Sequence, residues 1–123
     1  MTENISSNDL AYIGDAALEL LVRRHLVETA KAKNPSDEAV KFVSARAQSD
    51  ALANIEDSLT EEELAVYKRA RNNYHTSNVP KSASALQYRR STGFEAVFGY
   101  LYLRGDAERA KELFCMAYGL ERI

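Results

Sequence analysis

The chain has 123 residues, 46% of them hydrophobic and 28% charged, and a net charge of −2 at pH 7. This length favours one domain, residues 1–123, with one hydrophobic core and no second folded module. The single cysteine excludes an internal disulfide, and no signal-peptide pattern or apolar run of about eighteen residues is present, so we expect a cytoplasmic protein that does not enter the membrane.

Apolar residues recur at helical spacing through the first half of the chain. The first predicted helix spans about Ser7 to Thr29, with polar cap candidates at its start and Leu10 within its apolar stripe. A second helix follows Pro35, with Ser36 as the expected N-cap and an apolar stripe that continues to Ala51.

Cap signals also organise the second half. Thr60 to Glu63, "TEEE", is a capping-box pattern that opens a third helix ending near Asn72. Residues 73–81 are polar, contain a proline and are predicted to form a loop. Two more helices are predicted, one over roughly Ser91–Leu103 and one after Asp106. No stretch alternates with period two for long, so the sequence predicts an all-α fold.

Two acidic residues lie inside apolar helical runs, which is unusual. Asp15 lies in "YIGDAALELL" and Glu95 in "GFEAVFGYLYL". Burying an unpaired carboxylate is costly, so Asp15 could pair with Arg89 or Arg90, and Glu95 could face water. Alternatively, both could hold Mg²⁺, which prefers oxygen ligands. Gly14, beside Asp15, would then allow another helix or a nucleic-acid backbone to approach closely.

The charge is segregated along the chain. Residues 1–67 contain 13 acidic and 6 basic residues, whereas residues 68–104 contain 7 basic residues and one acid. Such a basic segment could form a local anion-binding surface on an acidic protein, or it could be a solvated face paired with neighbouring acids. Neither His25 nor His75 has a partner at metal-ligand spacing, and we interpret His25 as a helix-surface residue.

Five motifs occur in order: "AYIGDA", "FVSARAQ", "LTEEELAVYKRARN", "VPKSASALQYRRSTGFEA" and "GYLYLRGD". Together they resemble the ribonuclease III family, and more closely its short bacterial branch, the Mini-III ribonucleases, which have the catalytic domain alone. The resemblance covers about Leu10 to Leu113. It implies a ribonuclease III endonuclease-domain fold, a homodimeric helical bundle, without a separate double-stranded-RNA-binding domain.

The resemblance assigns catalytic and metal-binding roles to two residues. Asp15 falls on the family's catalytic aspartate and Glu95 on its catalytic, metal-binding glutamate, so the resemblance implies that both residues are catalytic and hold the metal. Typical ribonuclease III enzymes have further acids where this chain has Asn8, Ala11 and Thr92. The Mini-III branch shares these losses. With two carboxylates per site, we expect the RNA phosphate to complete the metal shell.

The implied activity is Mg²⁺-dependent cleavage of double-stranded RNA to 5′-phosphate and 3′-hydroxyl ends, with Mn²⁺ as a possible substitute metal. By analogy, the substrate is a precursor of large-subunit (23S) ribosomal RNA. Family members are homodimers with one site for each RNA strand. Tyr12 lies where the family places an aromatic residue at the dimer interface, although it could equally be an ordinary core aromatic.

Double-stranded RNA is recognised mainly by its shape, through contacts with phosphates and 2′-hydroxyls. The candidate RNA-binding cations are Arg69, Arg71, Lys81, Arg89 and Arg90. Two alternatives stay open at the level of sequence: a catalytically inactive ribonuclease III fold that binds RNA or the ribosome, and a helical adaptor that binds only proteins. Retention of both Asp15 and Glu95 favours the enzyme.

Overall fold

The computed structural model describes residues 4–29, 34–73 and 84–121. Six α-helices account for most of these residues, a 3₁₀ turn spans Glu56–Ser58, and these three ranges contain no β-strand. The helices are α1 (Ser7–Thr29), α2 (Pro35–Val43), α3 (Ala45–Ala53), α4 (Glu61–Asn72), α5 (Ala85–Leu103) and α6 (Ala107–Tyr118). The predicted all-α fold is confirmed.

Helix α5 forms the centre of the bundle. It packs most extensively against α1, then against α4 and α3. One face of its middle, formed by Phe94, Val97, Phe98 and Leu101, is at most 1% exposed, and Ala96 and Tyr100 on the opposite face are also buried. A helix that is buried on opposite faces belongs inside a core, and the other helices cover most of it.

Two glycines allow α1 and α5 to cross with their backbones in contact. A Cβ atom at Gly14 would lie 1.6 Å from the Glu95 carbonyl oxygen, and one at Gly99 would lie 1.9 Å from the Leu10 carbonyl oxygen. Any side chain would force the helices apart, so only glycine fits at either position. The break in the apolar run before Asp15 is therefore a helix-crossing point.

The predicted second helix is two helices. It begins at Pro35, with Asn34 rather than Ser36 in the N-cap position, so the Ser36 prediction was wrong. The chain then leaves helical geometry at Ser44 (φ −63°, ψ 155°), whose hydroxyl accepts a hydrogen bond from the Ala47 amide at 3.2 Å. Ser44 thus ends α2 and caps α3.

The capping box that opens α4 is confirmed. Thr60 Oγ1 accepts from the Glu63 amide at 3.1 Å, and Glu63 Oε1 accepts from the Thr60 amide at 2.9 Å. Glu63 is buried and also binds Arg109 of α6, with Arg109 Nη2 2.9 Å from Glu63 Oε1. This buried ion pair ties the start of α4 to α6.

The remaining boundaries agree in part with the sequence. Helices α1 and α6 begin where predicted, but α5 starts at Ala85, six residues before the predicted Ser91, behind a Ser84–Gln87 capping box. Apart from Asn73, the predicted loop 73–81 lies outside the described residues. Among the helices that are described, none has both the length and the apolar character that a membrane span requires.

Candidate active site

The crossing of α1 and α5 brings Asp15 and Glu95 together. Gly14 contacts the backbone of Glu95 directly, so the next residue, Asp15, projects beside the Glu95 side chain. The two carboxyl groups lie close enough for Asp15 to affect the pKa of Glu95. Asp15 is exposed whereas Glu95 is half-buried, so the pair opens to solvent on the Asp15 side.

Glu95 holds a proton near neutral pH. Burial raises the pKa of Glu95, and the charge of Asp15 and a hydrogen bond to it raise that pKa further, to about 8. The side-chain amide of Gln48 has the opposite effect and lowers the pKa of Glu95. A cation bound between the two carboxyl groups would take the place of the proton on Glu95, so this pair could hold one.

The two carboxylates suit a Mg²⁺ ion that keeps most of its shell for water and phosphate. In the described parts of the chain, no cluster of three or more histidine, cysteine or acidic residues could hold a metal. At the positions where the family carries additional acids, Asn8 is exposed, Ala11 is buried, and the Thr92 hydroxyl donates to the Tyr88 carbonyl oxygen at 3.0 Å. These three residues therefore add no acidic ligand to the pair.

Gln48 of α3 is a site residue that the sequence reasoning missed. Its side chain is 1% exposed, and its amide acts directly on the Glu95 carboxyl group. The only available signal was a polar amide in the motif "FVSARAQ", and its burial depends on how α3 packs against α5.

Comparison with known proteins decides the family. The Ribonuclease III domain family matches residues 8–106. The chain belongs to the ribonuclease III family. It is 40% identical to the Mini-ribonuclease 3 of Clostridium tetani over 114 residues, covering 90% of this chain and 75% of that protein. It is 45% identical to the Mini-ribonuclease 3 of Streptococcus pneumoniae over 109 residues, covering 85% and 84%.

A solved structure supports the same relationship. The crystal structure of a Fusobacterium nucleatum protein superposes with a TM-score of 0.81 at 30% identity, over 94% of this chain and 93% of that one. The relatives place the chain in the Mini-ribonuclease 3 branch, and it is an endoribonuclease with the ribonuclease III fold.

The candidate RNA-binding cations of this ribonuclease differ in how exposed they are to solvent and in whether they contact other side chains. Arg69 is exposed in the last turn of α4. Arg71 lies over the Tyr67 ring, 5.4 Å from its centroid, and its Nε donates to Asn72 Oδ1 at 3.1 Å. Lys81 lies outside the described residues.

The α5 arginines face the protein more than solvent. Arg89 is half-buried. Arg90 donates to the Ser49 carbonyl oxygen of α3 at 3.4 Å and lies 4.0 Å from the Glu56 carboxylate, with its side chain 26% exposed. Arg90 therefore pairs with Glu56 and not with Asp15, and it joins α5 to α3.

An exposed apolar surface adjoins the carboxylate pair of the ribonuclease. Tyr12 is 80% exposed, which excludes the alternative of a core aromatic. Together with Leu20, Tyr102 and Asp15 it lines a surface cavity of about 480 Å³, and Leu20 and Tyr102 are themselves 67% and 64% exposed.

Two further residues of α1 do not join the carboxylate pair. Glu19 pairs with Arg23 at 3.7 Å, one helical turn away. The interpretation of His25 as a surface residue was wrong, because its side chain is 7% exposed and lies edge-on to the Phe42 ring of α2, with a centroid distance of 6.0 Å. The packing of α2 against α1 covers this position.

Proposed function

We propose that this endoribonuclease cleaves double-stranded RNA in a Mg²⁺-dependent reaction that leaves 5′-phosphate and 3′-hydroxyl ends. The observation that carries the proposal is the direct interaction of the Asp15 and Glu95 carboxyl groups at the α1–α5 crossing, on a side open to solvent. We further propose maturation of the 23S ribosomal RNA precursor as its physiological role, by analogy with the branch. The single cysteine, Cys115, suits the cytoplasmic location that we propose.

In this proposal Asp15 and Glu95 together hold the metal ion. When bound, Mg²⁺ or its substitute Mn²⁺ neutralises charge on the scissile phosphate and lowers the pKa of a bound water. Asp15 supplies the solvent-exposed ligand, and Glu95 supplies a ligand fixed by the surrounding core. Glu95 must first give up the proton that burial and Asp15 favour, so proton release accompanies metal binding.

The RNA-binding surface is proposed to include the end of α4. Arg69 and Arg71 both lie in its last turn, two residues apart, and Lys81 follows later in the same basic segment. Phosphate contacts of this kind fix a duplex in place without reading its sequence. Because Arg90 is engaged with α3, we assign it a smaller part in RNA binding than Arg69; Arg89 remains a candidate.

The active unit is proposed to be a homodimer. Tyr12, Leu20 and Tyr102 form an exposed apolar surface beside Asp15. Large exposed apolar side chains grouped around a cavity are typical of a protein–protein contact. A dimer formed through this surface would hold two carboxylate pairs near each other, one for each strand of the duplex.

Cleavage of a long RNA duplex with and without Mg²⁺ tests the proposal. We expect wild type to cut, with 5′-phosphate ends on the products, and the Asp15→Asn and Glu95→Gln variants to bind the duplex but to cut at least about a thousandfold more slowly. Glu28→Gln changes an exposed acid elsewhere on α1 and should cut like wild type.

Other results of this assay would overturn the proposal. If Asp15→Asn and Glu95→Gln cut as fast as wild type, the carboxylate pair is not the active site. If wild type binds the duplex but does not cut it, the chain acts on RNA as a binding module. A precursor of 23S ribosomal RNA that is left intact by an enzyme active on other duplexes would overturn the proposed physiological role alone.

A further inference from the structure

One buried polar group beside the carboxylate pair has no assigned role. Gln48 is 1% exposed and lies among the apolar residues with which α3 packs on α5. Its Nε2 has no hydrogen-bond partner among the described residues. A buried amide donor without a partner is costly, and such a group in a native fold points to a partner supplied in another state of the molecule.

The Glu95 carboxyl group is the acceptor within reach of Gln48. The Gln48 amide acts on Glu95 as a hydrogen-bond donor, although Nε2 makes no hydrogen bond of ordinary geometry in the described structure. A carboxylate that ligates a cation is an ionised acceptor, and hydrogen bonds to ionised groups are shorter and stronger than those between neutral groups. The buried Gln48 Nε2 would gain such an acceptor in Glu95.

We propose that Gln48 is a positioning residue of the active site, which donates a hydrogen bond from Nε2 to the ionised Glu95 carboxylate and holds it in the orientation that binds the divalent cation. The inference rests on the proposed metal-binding role of Asp15 and Glu95. Gln48 itself touches neither metal nor RNA in this scheme. It acts through Glu95, from a different helix than either carboxylate.

The arrangement follows a general feature of metal sites. Ligating carboxylates are themselves hydrogen-bonded, and loss of such an outer partner typically lowers metal affinity or activity about 10- to 100-fold. Glu95 projects from the central helix α5 into a half-buried position, where water cannot freely replace a lost donor. Gln48 therefore controls how well one of only two protein carboxylates is placed.

Gln48→Met tests the inference, because methionine is similar in volume and flexible but lacks the amide donor. Mg²⁺ binding by calorimetry without RNA should weaken about 10- to 100-fold, and the Mg²⁺ concentration for half-maximal cleavage should rise in parallel. Affinity for duplex RNA in the absence of divalent cations should stay within about twofold of wild type. Ser49→Ala, a matched control, alters the next buried polar side chain on α3 and should leave Mg²⁺ affinity unchanged.

Wild-type protein provides a second measurement that needs no folded variant. Addition of Mg²⁺ should shift the side-chain amide NMR signals of Gln48 together with the backbone signals of Asp15 and Glu95, as the new hydrogen bond forms. Unchanged Mg²⁺ affinity in Gln48→Met, or Gln48 amide signals that stay fixed while those of Asp15 move, would overturn the inference alone. If Mg²⁺ moves no signal at Asp15 or Glu95, and Glu95→Gln still cuts RNA, the proposed function fails instead.

Discussion

Glu95 makes the stability of the metal-free protein depend on pH. Its pKa is about 8 in the folded state and near 4.5 when it is unfolded, so the folded state binds the additional proton between these values. The contribution of Glu95 to the free energy of unfolding is therefore highest below pH 4.5. This contribution falls as the pH rises to 8. The loss is on the order of a few kcal/mol, since one pKa unit corresponds to about 1.4 kcal/mol.

Glu95→Gln should remove this dependence, because the amide does not titrate. Without divalent cations, we expect the variant to be more stable than wild type at pH 8.5 and similar to it at pH 4.5, by urea unfolding at both pH values. Glu28→Gln, which changes an exposed acid, should keep the wild-type dependence. Equal slopes in wild type and Glu95→Gln would mean that Glu95 titrates near its ordinary pKa and is not destabilised by Asp15.

The site residues differ in how visible they are in the sequence. Asp15 and Glu95 could be found because a carboxylate inside an apolar helix conflicts with its surroundings and requires a reason. Gln48 could not be found in this way, since "SARAQSD" is polar on both sides of it and nothing marks the residue as buried. The inward orientation of Arg90 was equally hidden, because it depends on a carbonyl oxygen of α3.

At the scale of helices, the α1–α5 crossing sets the position of the carboxylate pair. Gly14→Ala would place a methyl group 1.6 Å from the Glu95 carbonyl oxygen, which is backbone and cannot move aside as a flexible side chain can. We expect destabilisation of about 3 kcal/mol or more, measured by urea unfolding. Any folded fraction should cut RNA more slowly, since the helices must separate where the two carboxyl groups meet.

Ala65→Ser is a matched control for Gly14→Ala, because it adds one heavy atom at an exposed position of α4. Its cost should be about 0.5 kcal/mol, the difference in helix propensity. If Gly14→Ala is no more destabilising than Ala65→Ser, α1 and α5 are not in backbone contact at this point.

Helix boundaries were predictable where a cap stands before an apolar run. Thr60 and Asp106 each accept a hydrogen bond from a first-turn amide, so α4 and α6 begin where the sequence indicates. The break at Ser44 was missed because the apolar stripe continues in phase on both sides of it. The early start of α5 was missed because its first turns, from Ala85, are exposed or half-buried and lack an apolar signal.

At the scale of the whole molecule, a protein with net charge −2 must bind RNA through a local surface. Arg69→Ala should weaken duplex binding uniformly across RNA sequences and should reduce the slope of log K against log salt concentration by about 1. Filter binding between about 50 and 200 mM salt measures this slope.

Arg24→Ala is the matched control for Arg69→Ala. Arg24 Nε donates to Glu28 Oε1 at 2.7 Å on α1, so the charge of Arg24 is locally compensated. Removal of the Arg24 side chain should therefore leave the salt dependence of RNA binding unchanged. A slope that is unchanged in Arg69→Ala as well would exclude the end of α4 from the RNA-binding surface.

The last prediction concerns assembly. Tyr12 is 80% exposed beside Leu20 and Tyr102, and a charge placed there would have to be desolvated in a dimer that covers this surface. Tyr12→Asp should therefore sediment as a 13.8 kDa monomer under conditions in which wild type is a dimer, with its helix content intact by circular dichroism. Val40→Asp introduces the same charge at another exposed apolar residue, on α2, and should remain dimeric. If instead Tyr12→Asp remains dimeric and Val40→Asp dissociates, the interface includes α2, and the carboxylate pairs of the two protomers are not joined through the surface around Tyr12.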